Sequence, residues 1–323
     1  MLDHTMGAQG DFERRRTELT SRQQIGARQN ITDDDVVESY VDSVKEGGVL
    51  RQFLLHGSLA FVAHQTLFVH GGIINNIDGT TFSSLGRVPD QPHKRFDSVS
   101  EWVDRLNTWY IGQVREWIEH PTWSNDHSTR GGNELLNYVL PNYSGSVVMG
   151  RHILASGMPT PLPVDVVSLL SKSGIRRVLI GHTPHGNSPT VVKQPEQQRG
   201  TYAASRNDNN MAFQDVIMCD TSYSDVQAPD NRGRAASSVV LEPSGRVLVK
   251  GVLEDGKYFE YDPDEDLWVG RWLRDGIMVK ARLVDEKSKG ENETYLVFRV
   301  ENGYSYKYDY RTVTEIRKIG LLN

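Results

Sequence analysis

Three short apolar runs, each ending abruptly in a polar side chain, constrain the fold of this chain more than any other feature. Residues 66–69 end in His70-Gly71-Gly72, residues 176–180 in Gly181-His182-Thr183-Pro184-His185-Gly186, and residues 216–219 in Asp220. Apolar runs this short, bounded by turn-forming residues, read as buried strands. Polar groups fixed at the carboxyl ends of strands are a recurrent way of building a site on a sheet. Neutral imidazole is a common ligand for zinc, iron and manganese, and ligands fixed at strand ends hold a metal with little reorganisation.

The segments between these runs supply helices. Thr32 followed by Asp33, Asp34 and Asp35 reads as a helix start, with acidic groups at the positive end of the dipole. That helix is expected to run to about Lys45, where Gly47 and Gly48 stop it. Residues 59–63 and 66–69 read as paired strands around a polar break at His64 and Gln65. The clearest helix spans 98–120, with Ser98 and Glu101 as a capping box and Val99, Trp102, Val103, Leu106, Trp109, Tyr110, Val114, Trp117 and Ile118 at helical spacing. A further helix is expected over 164–172, closed by Gly174. The first thirty residues are polar and weakly periodic, and 194–210 reads as a surface loop. This alternation predicts a layered domain, read as α+β.

From about Val239 the pattern changes to short alternating runs at 246–252, 277–284, 294–300 and 304–310, without a long helical period. It predicts an antiparallel β appendage, with a small barrel among the forms open to it. The expected division is 1–250 and 251–323; at 323 residues the chain is long enough for two domains. Apolar residues make up 37% and charged residues 24%, an ordinary globular balance. The net charge of −6 argues against a dedicated nucleic-acid binder, which normally carries a basic face. The single cysteine, Cys219, rules out a disulfide framework and favours a reducing compartment, so a cytoplasmic location is expected. No apolar run approaches the roughly 18 residues of a spanning helix. The polar N-terminus is not a signal peptide, and Asp3 and Asp11 break the acid-poor pattern of a transit peptide.

Phe68-Val69-His70-Gly71-Gly72, Arg130-Gly131-Gly132-Asn133 and Ile180-Gly181-His182-Thr183 occur in an order that resembles calcineurin-like metallophosphoesterases, and most of all the Shewanella-like phosphatases among them. The resemblance covers roughly residues 50–250. It implies the C-terminal half of a metallophosphoesterase β-sandwich flanked by helices, with a metal-dependent phosphoester hydrolase activity of the serine/threonine-phosphatase kind. It further implies His70 and His182 as ligands of one of two divalent metal ions (manganese, iron or zinc), and Arg130 as the holder of a phosphate oxygen. His185 has no firm counterpart in the pattern and is expected on the loop surface, with contact to the other metal or to substrate as the alternative, and Asp220 is expected either to orient a histidine ligand or to cap its loop.

The motifs that supply the family's first metal site and its bridging aspartate are absent, so the chain is expected to lack the N-terminal half of the domain. The Leu2-Asp3-His4-Thr5 segment falls where a third motif should end, which makes Asp3 a candidate metal ligand and His4 a candidate general acid. Two readings stay open: a hydrolase acting on a phosphorylated protein, nucleotide or small phosphoester, and a non-catalytic scaffold that meets a protein partner through its β appendage.

Overall fold

The computed structural model describes residues 10–22, 30–76, 83–194, 215–221, 235–284, 290–302 and 305–322. Asp3 and His4 lie outside these residues, as does nearly all of the 194–210 loop; Gln194 itself is buried. The chain divides into two compact units, Met1–Gly57 and Ser58–Asn323.

The first unit contains helices α1 (Asp11–Arg22), α2 (Asp33–Val44) and α3 (Val49–His56). The start of α2 is built as the sequence indicates. Thr32 accepts from the Asp35 amide, and Asp35 returns a bond to the Thr32 amide. Gly48 is needed because a Cβ there would lie 2.3 Å from the Ser43 carbonyl oxygen. Helix α1 was not legible in the polar first thirty residues. It buries no side chain and is laced by charge instead. Arg15 pairs with Glu18 at 2.7 Å, and Arg16 pairs with Glu13 at 3.0 Å and donates to Ile31 O at 2.6 Å.

The second unit is mixed α+β. Strands β1 (Ala60–Ala63), β2 (Thr66–Val69), β5 (Arg177–Ile180), β6 (Thr190–Val192) and β7 (Asp215–Met218) form a five-stranded sheet in the order β1-β2-β5-β7-β6. Its three inner strands, β2, β5 and β7, are mutually parallel, and the edge strands β1 and β6 are antiparallel to their neighbours. The β1–β2 hairpin turns at His64 and Gln65, both at positive φ (47° and 60°), as a tight right-twisting hairpin requires. A pair of short strands, β3 (Ile74–Asn76) and β4 (Ser83–Leu85), follows.

Helix α4 (Val99–Glu119) buries Val99, Trp102, Leu106, Trp109, Tyr110 and Val114 of the expected apolar face, and leaves Val103, Trp117 and Ile118 half-buried at its margin. Trp102 Nε1 donates to Gly86 O at 2.7 Å, so its one polar atom is satisfied in the core. Ser98 caps the helix by accepting from the Glu101 amide, but Glu101 turns to Lys94 Nζ at 2.6 Å, so only half of the expected capping box forms. Helices α5 (Asn133–Tyr138) and α6 (Val164–Lys172) complete this layer, and Gly174 ends α6 at φ +73°.

The tail is antiparallel, as expected, but it is not a barrel. Strands β8 (Ala236–Leu241), β9 (Val247–Val252) and β10 (Tyr258–Tyr261) make one three-stranded sheet, and β11 (Met278–Arg282), β12 (Thr294–Asn302) and β13 (Ser305–Thr312) another. A single bridge, Phe259 to Leu283, joins them. Closure needs the outer strands to pair. Instead β13 runs directly into helix α7 (Val313–Ile319), started by a Thr312/Glu315 capping box that the β-type reading of the tail did not register.

Both small sheets share one core with the five-stranded sheet: Leu179, Val191 and Ile217 pack in the same cluster as Val249, Phe259, Val279, Leu296 and Ile316. An ion pair between a buried arginine and a surface aspartate reinforces this junction. Arg177 on β5 is 2% exposed and reaches Asp264 at 2.6 Å and Gly245 O at 3.1 Å. Among the described residues, no helix is long and apolar enough to cross a membrane.

Candidate functional site

Because β2, β5 and β7 are adjacent and parallel, the residues just past their carboxyl ends come to one edge of the sheet. These are His70, His182 and Asp220, the three polar termini singled out in the sequence. The His70 and His182 rings lie 5.3 Å apart between centroids, tilted by 51°. The backbone fixes the pair as well. Gly181 N donates to His70 O at 2.8 Å, and Cys219 N donates to Ile180 O at 2.8 Å.

His182 is held in an unfavourable conformation. Its φ is +60°, a region that costs a non-glycine residue about 1 kcal/mol or more. Thr183 N closes a tight three-residue turn onto Gly181 O at 2.6 Å around it. The Nε2 atom of His182 is buried without a hydrogen-bond partner among the described residues. Burial holds the His182 ring below the ordinary imidazole value, the Arg151 and His70 charges push the same way, and Asp220 opposes them. A half-buried, neutral imidazole with an unspent ring nitrogen has the donor character of a metal ligand.

The two glycines after His70 let a second segment clasp the site. Gly71 N donates to Val147 O, and Gly72 N to Gly150 O, both at 2.7 Å. A Cβ on Gly71 would lie 2.5 Å from Val148 O, and one on Gly72 would lie 2.7 Å from Arg151 N. The segment so docked carries two residues that sequence reasoning did not single out. Arg151 is exposed, and its charge acts on the His182 ring. His152 is fully buried, and its Nε2 accepts from Ile73 N at 3.2 Å. Burial alone pushes His152 down to about 4. The signal for both was Gly150-Arg151-His152, which follows the apolar run Val147-Val148-Met149, only three residues long and not a strand in the structure.

Arg130 stacks on Trp123, and its Nε is buried without a hydrogen-bond partner among the described residues. Its guanidinium lies 4.9 Å from the centre of the Trp123 ring, and the next residue, Gly131, donates its amide to His120 O at 2.9 Å. Gly131 and Gly132 press against the last turns of α4, where a Cβ would meet Glu116 O at 2.0 Å and Gln113 O at 2.6 Å. The Arg130-Gly131-Gly132-Asn133 motif therefore forms a close glycine packing against a helix. His185 is buried three residues beyond His182 and faces away into the second unit's core, against Phe298 and Tyr306.

The fit of this edge to a metal is partial. His70 and the unpartnered Nε2 of His182 suit two positions of one ion. Among the described residues no third His, Cys, Asp or Glu converges with them into a metal-holding group, Asp220 included. Structural and catalytic zinc sites have about three or four protein ligands, so the pair is part of a coordination sphere and not the whole of one. Compared with protein-family models, with curated proteins and with solved structures, the chain matches none.

Proposed function

We propose that this chain carries the C-terminal half of a calcineurin-like metallophosphoesterase domain, and that His70 and His182 are its contribution to a divalent-metal centre for phosphoester hydrolysis. The observation that carries this reading is the juxtaposition of the two imidazoles at the carboxyl ends of adjacent parallel strands, with His182 Nε2 buried and unspent. His185 spends both ring nitrogens on protein partners, whereas the buried His152 also leaves Nδ1 unpaired, so it is the pairing of His182 with His70 that carries the reading.

Divalent ions bound at such a site activate water and neutralise charge on a phosphoryl group. What this chain adds is orientation. The tight turn at His182 fixes one imidazole and burial favours its neutral form, while the Gly71-Gly72 clasp fixes the other. Arg151 is the guanidinium that acts on His182, so in this reading it takes the role that the motif order suggested for Arg130. A guanidinium fork is suited to a phosphate oxygen.

The test is hydrolysis of p-nitrophenyl phosphate by the 323-residue chain with manganese, zinc or iron(II), beside Arg151→Ala and Arg130→Ala. Hydrolysis that falls about 100-fold or more in Arg151→Ala and only a few-fold in Arg130→Ala supports the assignment. The reverse order places the oxyanion at Arg130 and refutes the role given to Arg151. A metal-bound but inert chain favours the scaffold reading.

A further inference from the structure

Lys280 is the one lysine buried to 1% exposure among the described residues, and it reaches from the C-terminal sheet into the loop that carries His182. It lies on β11 at a β-bulge, between Val279 and Ala281, where the register against β12 shifts. A bulge re-aims the side chain at the irregularity, and here it sends a charged residue type into the core. Its Nζ donates to His185 O at 2.6 Å, also bonds Thr190 Oγ1, and lies 5.0 Å from the centre of the Phe298 ring.

The loop answers with matched parts. The neutral His185 ring donates Nε2–H to Gly157 O at 2.8 Å, so its Nδ1 accepts from the Thr190 hydroxyl at 2.9 Å; Thr190 Oγ1 also stands 2.9 Å from His185 O, the carbonyl that takes the Lys280 amine. Phe298 and Tyr306 pack edge-on against the same ring, with centroids 5.2 and 5.1 Å away. Gly186, at φ +86°, leaves room for the amine, since a Cβ there would stand 3.1 Å from Lys280 Nζ. His185 N also donates to Asp220 O at 3.3 Å, which ties the loop to the end of β7. A strained residue such as His182 persists only when its surroundings over-determine it, and this cluster begins three residues away.

We propose that Lys280 is a positioning residue: its amine, reaching out of the C-terminal sheet, clamps the 182–190 loop so that His182 is presented to His70. The inference rests on the reading of that pair as metal ligands. It gives the C-terminal sheet a part in the site instead of a separate binding task. Removing the amine releases the loop, and the Thr190 hydroxyl, 2.9 Å from the His185 carbonyl, is near enough to turn to it. Lys280→Met keeps the stem and is therefore expected to fold.

The experiment compares the full chain with Lys280→Met, with Thr190→Val as a second break in the same clamp, and with Ile316→Ala as a control buried in the core of the tail. Cobalt(II) affinity is read from the visible absorption of the bound ion, and hydrogen exchange is read on peptides covering 181–192 and 247–252. The clamp predicts at least a tenfold loss of cobalt affinity and of protection over 181–192 in Lys280→Met, with 247–252 unchanged. Ile316→Ala should lower the melting temperature yet keep cobalt affinity within about twofold. If Lys280→Met keeps both affinity and loop protection, or if Ile316→Ala loses affinity equally, Lys280 is merely structural and the proposal is wrong. Should Lys280→Met fail to fold, Thr190→Val decides by the same criteria. Should the unsubstituted chain bind no cobalt, the ligand reading of the pair fails; a loss of protection confined to 181–192 then still supports the clamp, and its absence overturns it.

Discussion

At the scale of single residues, two buried histidines make stability depend on acid. Burial first, and for His185 also the Lys280 charge, lowers the folded-state values to about 4 for His152 and about 3 for His185, from 6.5. A depressed folded value means that the unfolded chain takes up the proton first, so stability is complete above about pH 6.5 and is lost as pH falls toward these values. Between about pH 7 and pH 5 each ring should cost about 2 kcal/mol. Urea unfolding at those two pH values should therefore show a drop of about 4 kcal/mol in the second unit, reduced by roughly half in His152→Gln. A chain equally stable at both would show that these rings are solvated. The same scale sets what the sequence could disclose. His70, His182 and Asp220 were legible because each follows an apolar strand. Arg151 and His152 were not, because what brings them to the site is a backbone clasp by Gly71 and Gly72 on residues about eighty positions away.

At the scale of elements, local chemistry was read well and its partners less well. Helix α6 spans the expected residues, and α2 begins at the expected Thr32 cap. The Ser98 cap formed, but Glu101 found Lys94, seven residues back and invisible to a four-residue motif. Helix α1 escaped notice because hydrophobic periodicity cannot register a helix held by ion pairs. Strand β6 escaped because three residues, Thr190–Val192, are too few for a period-two pattern. The caps yield a direct expectation. Thr32→Ala and Ser98→Ala should each lower stability by about 1 kcal/mol, whereas Glu101→Gln should change it little, since its carboxylate serves an exposed pair. Urea midpoints check all three, and a loss in Glu101→Ala equal to that of Ser98→Ala would restore the full capping box, since glutamine can itself serve in one.

At the scale of the whole molecule, the layered α+β character and the antiparallel tail were legible, because both follow from hydrophobic periodicity. The sharing of one core between the tail and the five-stranded sheet was not. Leu179 and Val279 are a hundred residues apart, and nothing local marks them as neighbours. That shared core gives the C-terminal sheets a role in holding the carboxyl edge of β2, β5 and β7, where His70 and His182 meet. The account stands or falls on whether that meeting point takes a metal. The decisive measurement is the metal content of the purified 323-residue chain after equilibration with manganese or zinc, beside His70→Ala and His182→Ala. Binding of one ion per chain that is lost in either variant, with folding intact by circular dichroism, is the predicted result. Metal retained in both variants, or no metal bound by the unsubstituted chain, would contradict it.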